Sequence, residues 1–284
     1  MFANGRAVRA PVLLWMWCVY LLSFAGLAAP AHASDATVAI LVLKEHGVGS
    51  PALAQPYLDR FVALAAEQNG WSAAIGRYYT SRSAAETFVE QQRPHYAILS
   101  LASFLAWRNK YNLDVIGQVS VSLVGGKQYY LISKQAADLG GCKGQTLASD
   151  HADDPRFIER VVAEGRFKLA DFKIVPTQRP LQTIKKVISG ESECALIDDA
   201  QLADLTHLEN VDGVRPIWTS TELPTMVVVA FPSAPTPERR RFQDNLSNVC
   251  ADDGASACAE VGIVSLKAAS TADYAAAITA YGKQ

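Results

Sequence analysis

Ser149, Asp150 and His151 follow one another in the chain and carry the three residue types of a hydrolytic triad. A triad needs its side chains to converge on one point. Side chains adjacent in sequence point apart, so the run reads as a polar loop facing a site. No Gly-x-Ser-x-Gly, Ser-x-x-Lys or His-Glu-x-x-His pattern occurs, and these are the arrangements that place a nucleophile or a zinc-bound water. His46, His95, His151 and His207 are far apart in the chain. His151 with Asp153 and Asp154 has metal-ligand residue types, but the stretch reads as a solvated loop. The chemistry expected is binding, not catalysis, with no metal and no cofactor.

Residues suited to binding gather where strands are expected to end. Ser100 and Ser103 stand where a strand gives way to a helix, and Thr80, Ser81 and Ser83 hold the same place after an earlier strand. Hydroxyls and backbone N–H groups there suit an anion, because the amino end of a helix offers unpaired donors and a partial positive charge. The same residues also suit plain N-capping. Ser149, Asp150 and His151 are expected to line a cleft, and Asp153 and Asp154 to serve the first turn of the helix that follows. Asp198 and Asp199 end another strand, one to cap the next helix and one to meet a ligand. Alternation turns either Tyr129 or Tyr130 toward the cleft. Lys44, Glu45 and His46 end the first strand and face the same way. Arg179, after Thr177 and Gln178, has the fork to clamp an oxyanion, although a solvated surface position is as natural for it.

The elements that must position these groups alternate along the chain. Apolar, β-branched runs at Thr37–Leu43, Trp71–Tyr79, Tyr96–Leu99 and Asp114–Val124 read as strands. Between them, Pro51–Gln68 carries Leu53, Tyr57, Phe61, Leu64 and Ala65 at helical spacing. Ser81–Gln92 is a second helix, with Ser83 and Glu86 at capping-box spacing, and Ser100–Asn109 a third. A second series begins after Gly125-Gly126: strands at Gln128–Ser133, Gln145–Ser149, Phe172–Pro176 and Cys194–Ile197, with helices at Pro155–Glu164, Leu181–Ile188 and Asp199–Leu205. Thr225–Phe231 is a late strand, followed by helices at Pro237–Val249 and Thr271–Tyr281. Such alternation predicts an α/β fold of two lobes, with ligands beyond the carboxyl ends of the strands and in the cleft between lobes.

The first residues predict export. Arg6 and Arg9 precede an apolar run from Pro11 to Ala29, which Ala31-His32-Ala33 closes, the order of a secretory signal peptide cleaved after Ala33. Removing residues 1–33 leaves about 250 residues, ample for one large domain or two lobes. The apolar content of 50% supports a real core, and a net charge of −2 gives no field to recruit nucleic acid. Cys142, Cys194, Cys250 and Cys258 remain, an even set that reads as two disulfides in an exported chain. Cys250 and Cys258 flank a short polar segment and read as one bridge. Cys142 and Cys194 then pair if the strands Gln145–Ser149 and Cys194–Ile197 are neighbours, and the connectivity stays open in the sequence.

Several segments in order resemble one family. Pro94–Leu105, Leu139–Ser149, Ser189–Asp198 and Pro224–Phe231 are similar to successive blocks of the PhnD-type periplasmic substrate-binding proteins for phosphate, phosphite and phosphonates. The resemblance implies a type II periplasmic-binding-protein fold, two lobes with mixed sheets joined by two crossing strands near Val121–Gly126 and Glu222–Thr225. The implied division is 1–33 signal peptide, 34–123 and 224–284 lobe I, and 124–223 lobe II. It also implies a periplasmic, monomeric binding protein of an ABC-type uptake system. Such a protein closes on a small polar or anionic ligand and hands it to a membrane permease. A sensing or accessory module for a membrane sensor, or a periplasmic enzyme on the same fold, are the alternatives. One departure stands out. Where phosphonate binders carry a Ser-Thr-Ser-Gly-like run, this chain reads Ser149-Asp150-His151-Ala152-Asp153-Asp154, with carboxylates that repel a dianion at close range.

Overall fold

A computed structural model describes residues 37–46, 51–122 and 125–283; the expected signal peptide and cleavage site lie outside them. In chain order the elements begin with β1 (Val38–Leu43), α1 (Pro51–Asn69), β2 (Ala74–Tyr79), α2 (Arg82–Gln92), β3 (Tyr96–Leu99), α3 (Leu101–Trp107) and β4 (Asp114–Val121). The middle of the chain forms β5 (Tyr129–Ser133), α4 (Leu139–Cys142), β6 (Thr146–Ser149), α5 (Pro155–Phe157), β7 (Lys173–Pro176), α6 (Pro180–Ile188), β8 (Cys194–Asp198), α7 (Asp199–Leu205) and β9 (Arg215–Thr219). The last part adds β10 (Met226–Ala230), α8 (Thr236–Val249), α9 (Gly254–Glu260), β11 (Ile263–Ala268) and α10 (Ala275–Gly282).

Two mixed sheets result. The first has the order β11-β4-β10-β3-β1-β2, and the second β7-β6-β8-β5-β9. β1 lies parallel to both β2 and β3, and β6 lies parallel to both β7 and β8. β10 runs antiparallel between β3 and β4, and β5 antiparallel between β8 and β9. The chain leaves the first sheet after Val121 and returns at Met226. The described residues of these two connections are not strands, which departs from the crossing strands expected there. The two connections run side by side, the Leu223 N–H donating to the Lys127 carbonyl at 2.8 Å. Gly126 takes φ +83° there, and at Gly125 a Cβ would come within 2.8 Å of Asp198 Oδ2, so this link needs glycine to turn and to pass close to β8.

β1 is the spine of the first sheet. Its sequence VAILVL is buried almost throughout, because helices cover both faces of a parallel strand and leave no polar side. One apolar cluster joins the sheets, from Leu41, Phe104 and Trp107 to Leu131, Leu147 and Phe167. The last helix ties across as well: Arg156 Nε donates to the Tyr281 carbonyl at 2.7 Å, and its guanidinium lies 4.5 Å over that ring.

The structure corrects several expectations. In α1 the buried face is Leu58, Phe61, Val62, Ala65 and Ala66, while Leu53 is 74% and Tyr57 44% exposed. The apolar stripe is rotated because Val62 and Leu58 pack on the bare backbone of Gly76 in β2. Ser83 and Glu86 do not form a capping box: Ser81 is the N-cap of α2, and its side chain makes no cap hydrogen bond. Pro155–Glu164 is not one α-helix. It is a three-residue turn, α5, followed by a π-helix at Ile158–Val162. β9, α9 and β11 were not anticipated, since each is short and only partly buried.

Both disulfides form, Cys142–Cys194 with Cα atoms 6.1 Å apart and Cys250–Cys258 with 5.6 Å. The first pairing follows from topology, because β6 and β8 are parallel neighbours and Leu147 sits opposite Cys194. In the chain-entropy account a bridge spanning 52 residues stabilises by about 4 kcal/mol and one spanning 8 by about 2.5 kcal/mol. Replacing both Cys142 and Cys194 with Ala is therefore expected to cost more than replacing both Cys250 and Cys258, as read by urea denaturation. An equal or smaller cost would contradict this ordering.

Candidate functional site

The carboxyl ends of the parallel strands of both sheets converge on a cavity of about 600 Å³. From the first sheet come Lys44, Glu45 and His46 after β1 and Ser100 after β3; from the second come His151 after β6 and Asp198 at the end of β8. Tyr129 and Phe157 add aromatic wall. Of the sequence-predicted residues, Lys44, Glu45, His46, Ser100, Tyr129, His151, Asp198 and Asp199 line this space. Thr80, Ser81, Ser103, Ser149 and Asp150 are not among its lining residues, and Arg179 is the N-cap residue of α6. Tyr130 faces the other way, its hydroxyl donating to Gln128 at 2.7 Å.

The most heavily bonded group at the cavity edge is Glu45, whose side chain is only 6% exposed. Arg82 grips it with both prongs, Nε to Oε1 at 2.9 Å and Nη2 to Oε2 at 2.8 Å. The Ser103 hydroxyl also donates to Oε2, and Ser100 Oγ reaches it at 3.4 Å. Ser100 and Ser103 bond each other at 2.8 Å, and Ser100 caps α3. The third prong of Arg82, Nη1, spans to Asp154 Oδ2 at 3.1 Å. Asp154 in turn caps α5 through the Phe157 N–H at 3.0 Å. One guanidinium thus joins a residue after β1 to a residue after β6. Burial disfavours its charge, but Glu45 and Asp154 outweigh that and hold its pKa above the ordinary arginine value.

Behind the second wall lies a buried polar network. Asp150 Oδ1 accepts from Thr183 and from Gln201 Nε2, each at 3.0 Å, while its Oδ2 has no hydrogen-bond partner among the described residues. Ser149 donates to the Leu196 carbonyl and accepts from the His151 N–H. Asp198 caps α7 in a reciprocal pair with Gln201, and Asp199 Oδ1 accepts from the Lys127 and Gln128 N–H groups. The two adjacent aspartates therefore both brace backbone. Burial holds the Asp198 carboxyl above the usual range, and burial lowers the Lys44 ammonium against the pull of Asp198 and Asp199.

His151 sits within this network, its Nε2 2.9 Å from Gln201 Oε1, 3.8 Å from Asp150 Oδ1 and 4.0 Å from Asp198 Oδ2. Burial disfavours its cation, yet the two carboxylates prevail and raise its pKa. His46 meets it edge-on across the cavity at 4.5 Å between ring centroids. Burial and then the His151 charge push His46 down, against Asp153, whose Oδ1 lies 3.5 Å from its Nε2. One histidine is favoured as cation and its neighbour as neutral imidazole, the division expected of two titrating groups in contact.

Arg82 and Gln201 were missed in the sequence. Arg82 is the first residue of α2, directly after the hydroxyl pair that drew attention. The signal for it was the solitary Glu45 at the end of a buried strand, which requires a cation nearby. Gln201 had the capping-box spacing from Asp198.

Residues 158–274 match the sequence model of the phosphonate-binding proteins, the periplasmic substrate-binding components of phosphonate ABC transporters. The fold agrees with solved structures. A binding-protein component of an ABC phosphonate transporter from Pseudomonas aeruginosa is 12% identical, with 84% of this chain and 83% of that one covered and a TM-score of 0.63. A Prochlorococcus marinus PhnD1 in complex with methylphosphonate is 11% identical, covering 84% and 95%, with a TM-score of 0.62. A Xanthomonas citri protein bound to ATP is 11% identical, covering 87% and 100%, with a TM-score of 0.65. No curated protein matches the chain.

Two outcomes are expected. Arg82→Ala leaves the Glu45 carboxylate buried without its cation, which costs about 3 kcal/mol or more in urea denaturation; an unchanged midpoint would contradict the pairing. For His151 a raised folded pKa adds stability at acidic pH that is lost as pH rises through that value. The stability gap between wild type and His151→Asn is expected to be widest below the ordinary histidine value of 6.5 and to narrow above it. A gap that widens with pH would reverse the assignment.

Proposed function

We propose that this chain is a periplasmic solute-binding protein of an ABC-type uptake system that takes a small phosphonate- or phosphate-like anion into the cavity between its sheets. Residues 34–123 and 224–284 form one lobe and residues 124–223 the other. The mature protein starts after Ala33, acts as a monomer and delivers its ligand to a membrane permease. The observation that carries the reading is the family match over residues 158–274, together with a cavity framed by the strand ends of both sheets.

The donors at hand suit an oxyanion. Ser100 offers a hydroxyl on the cavity wall, and the planar fork of Arg82, seated on Glu45, stands at the cavity edge. Lys44 and Lys127 add positive charge to the cavity wall. Binding between lobes excludes water and strengthens each of these contacts.

Thermal unfolding of the mature, oxidised protein against phosphate, phosphite, alkylphosphonates, sulfate and carboxylates tests this. A ligand at a hundred times its dissociation constant adds about 2.7 kcal/mol, roughly 5–10 °C for a chain of this size. The expected result is such a shift with a phosphorus oxyanion. A flat response to all phosphorus compounds, beside a clear shift with a carboxylate or sulfate, would redirect the assignment.

A further inference from the structure

The donors best placed to hold an oxyanion already hold one. Arg82 Nε and Nη2 face the two oxygens of Glu45 at 2.9 and 2.8 Å, and the hydroxyls of Ser103 and Ser100 close on Oε2. This is a complete bidentate carboxylate site with hydroxyl support, filled by a residue anchored at the end of β1. Glu45 and Ser100 also line the cavity, so the filled site opens directly onto the space a solute would enter.

We propose that Glu45 is a specificity-determining residue: a tethered carboxylate that occupies the oxyanion donors, so that a solute anion must displace it or bind beside its charge. The inference rests on the anion-binding reading above. Tethering gives Glu45 an effective concentration that a free ligand at ordinary concentration does not match. A dianion bound beside it meets like charge at a few ångströms in a site of reduced dielectric. Arg82 is no remedy, since its remaining prong is committed to Asp154 at 3.1 Å. Weak or selective anion binding is the consequence, and among the carboxylates that line the cavity Glu45 is the one seated on the oxyanion donors.

The test is calorimetric titration of the mature protein with methylphosphonate and, separately, inorganic phosphate. Wild type is compared with Glu45→Gln, which keeps the shape and removes the charge, and with Glu45→Ala, which empties the seat. Asp212→Asn, an exposed charge change remote from the cavity, controls for net charge. Circular dichroism and melting curves establish that each variant is folded; if Glu45→Ala is not, Glu45→Gln carries the comparison. The expected result is binding at least tenfold tighter in Glu45→Ala, with a smaller gain in Glu45→Gln and none in Asp212→Asn. Wild-type binding with no gain in the folded Glu45 variants would overturn this inference and leave the anion-binding reading standing. No binding by wild type or any folded variant would overturn the anion-binding reading, and this inference with it.

Discussion

Keeping the Glu45 carboxylate charged out of water is the constraint from which most of the site's architecture follows. An ion removed from water loses several kcal/mol of solvation unless a partner and further hydrogen bonds replace it. Arg82 supplies the partner from the first position of α2, and Ser100 and Ser103 supply the hydrogen bonds from the start of α3. The ends of β1, β2 and β3 are thereby fixed against one another by one side chain. Because Arg82 has donors to spare, the same interaction extends to Asp154 and the second sheet.

A second set of constraints comes from the other wall, where charge is enclosed rather than paired one to one. Asp150, Asp198 and His151 share Gln201, which donates to Asp150 and accepts near His151 while bracing the N-cap of α7. Partial satisfaction keeps such a network responsive: Asp150 Oδ2 has no partner among the described residues, and His151 lies nearly 4 Å from either carboxylate. The edge-on contact of His46 with His151 couples this wall to the first sheet. Proton uptake at the site is thus a property of both sheets together.

Much of this was legible in the chain because the local signals agreed with the global ones. Buried strands such as VAILVL and CALID declare themselves by composition, and residues that follow them line the cavity. Cys142 pairs with Cys194 because β6 and β8 are neighbours, a condition that the sequence left open and the structure meets. What failed had physical causes. The face of α1 is set by the missing side chain at Gly76, which periodicity within the helix does not reveal. β9 and β11 lie at sheet edges with weak burial patterns. Arg82 went unseen because a lone arginine at a helix start carries no pattern; its meaning lies in Glu45, 37 residues away.

The acidic run after β6 shows how a correct chemical intuition can attach to the wrong atoms. Its carboxylates were expected to repel a dianion, yet none of Asp150, Asp153 and Asp154 lines the cavity. Asp150 is turned inward to Thr183 and Gln201, Asp153 lies toward His46, and Asp154 divides itself between a helix cap and Arg82. Their charges are consumed in holding the cavity wall. Glu45, on the opposite sheet, does face the cavity, seated on the donors of Arg82 and Ser103. Charge on this loop then acts on a ligand indirectly, by fixing the arginine that fixes Glu45.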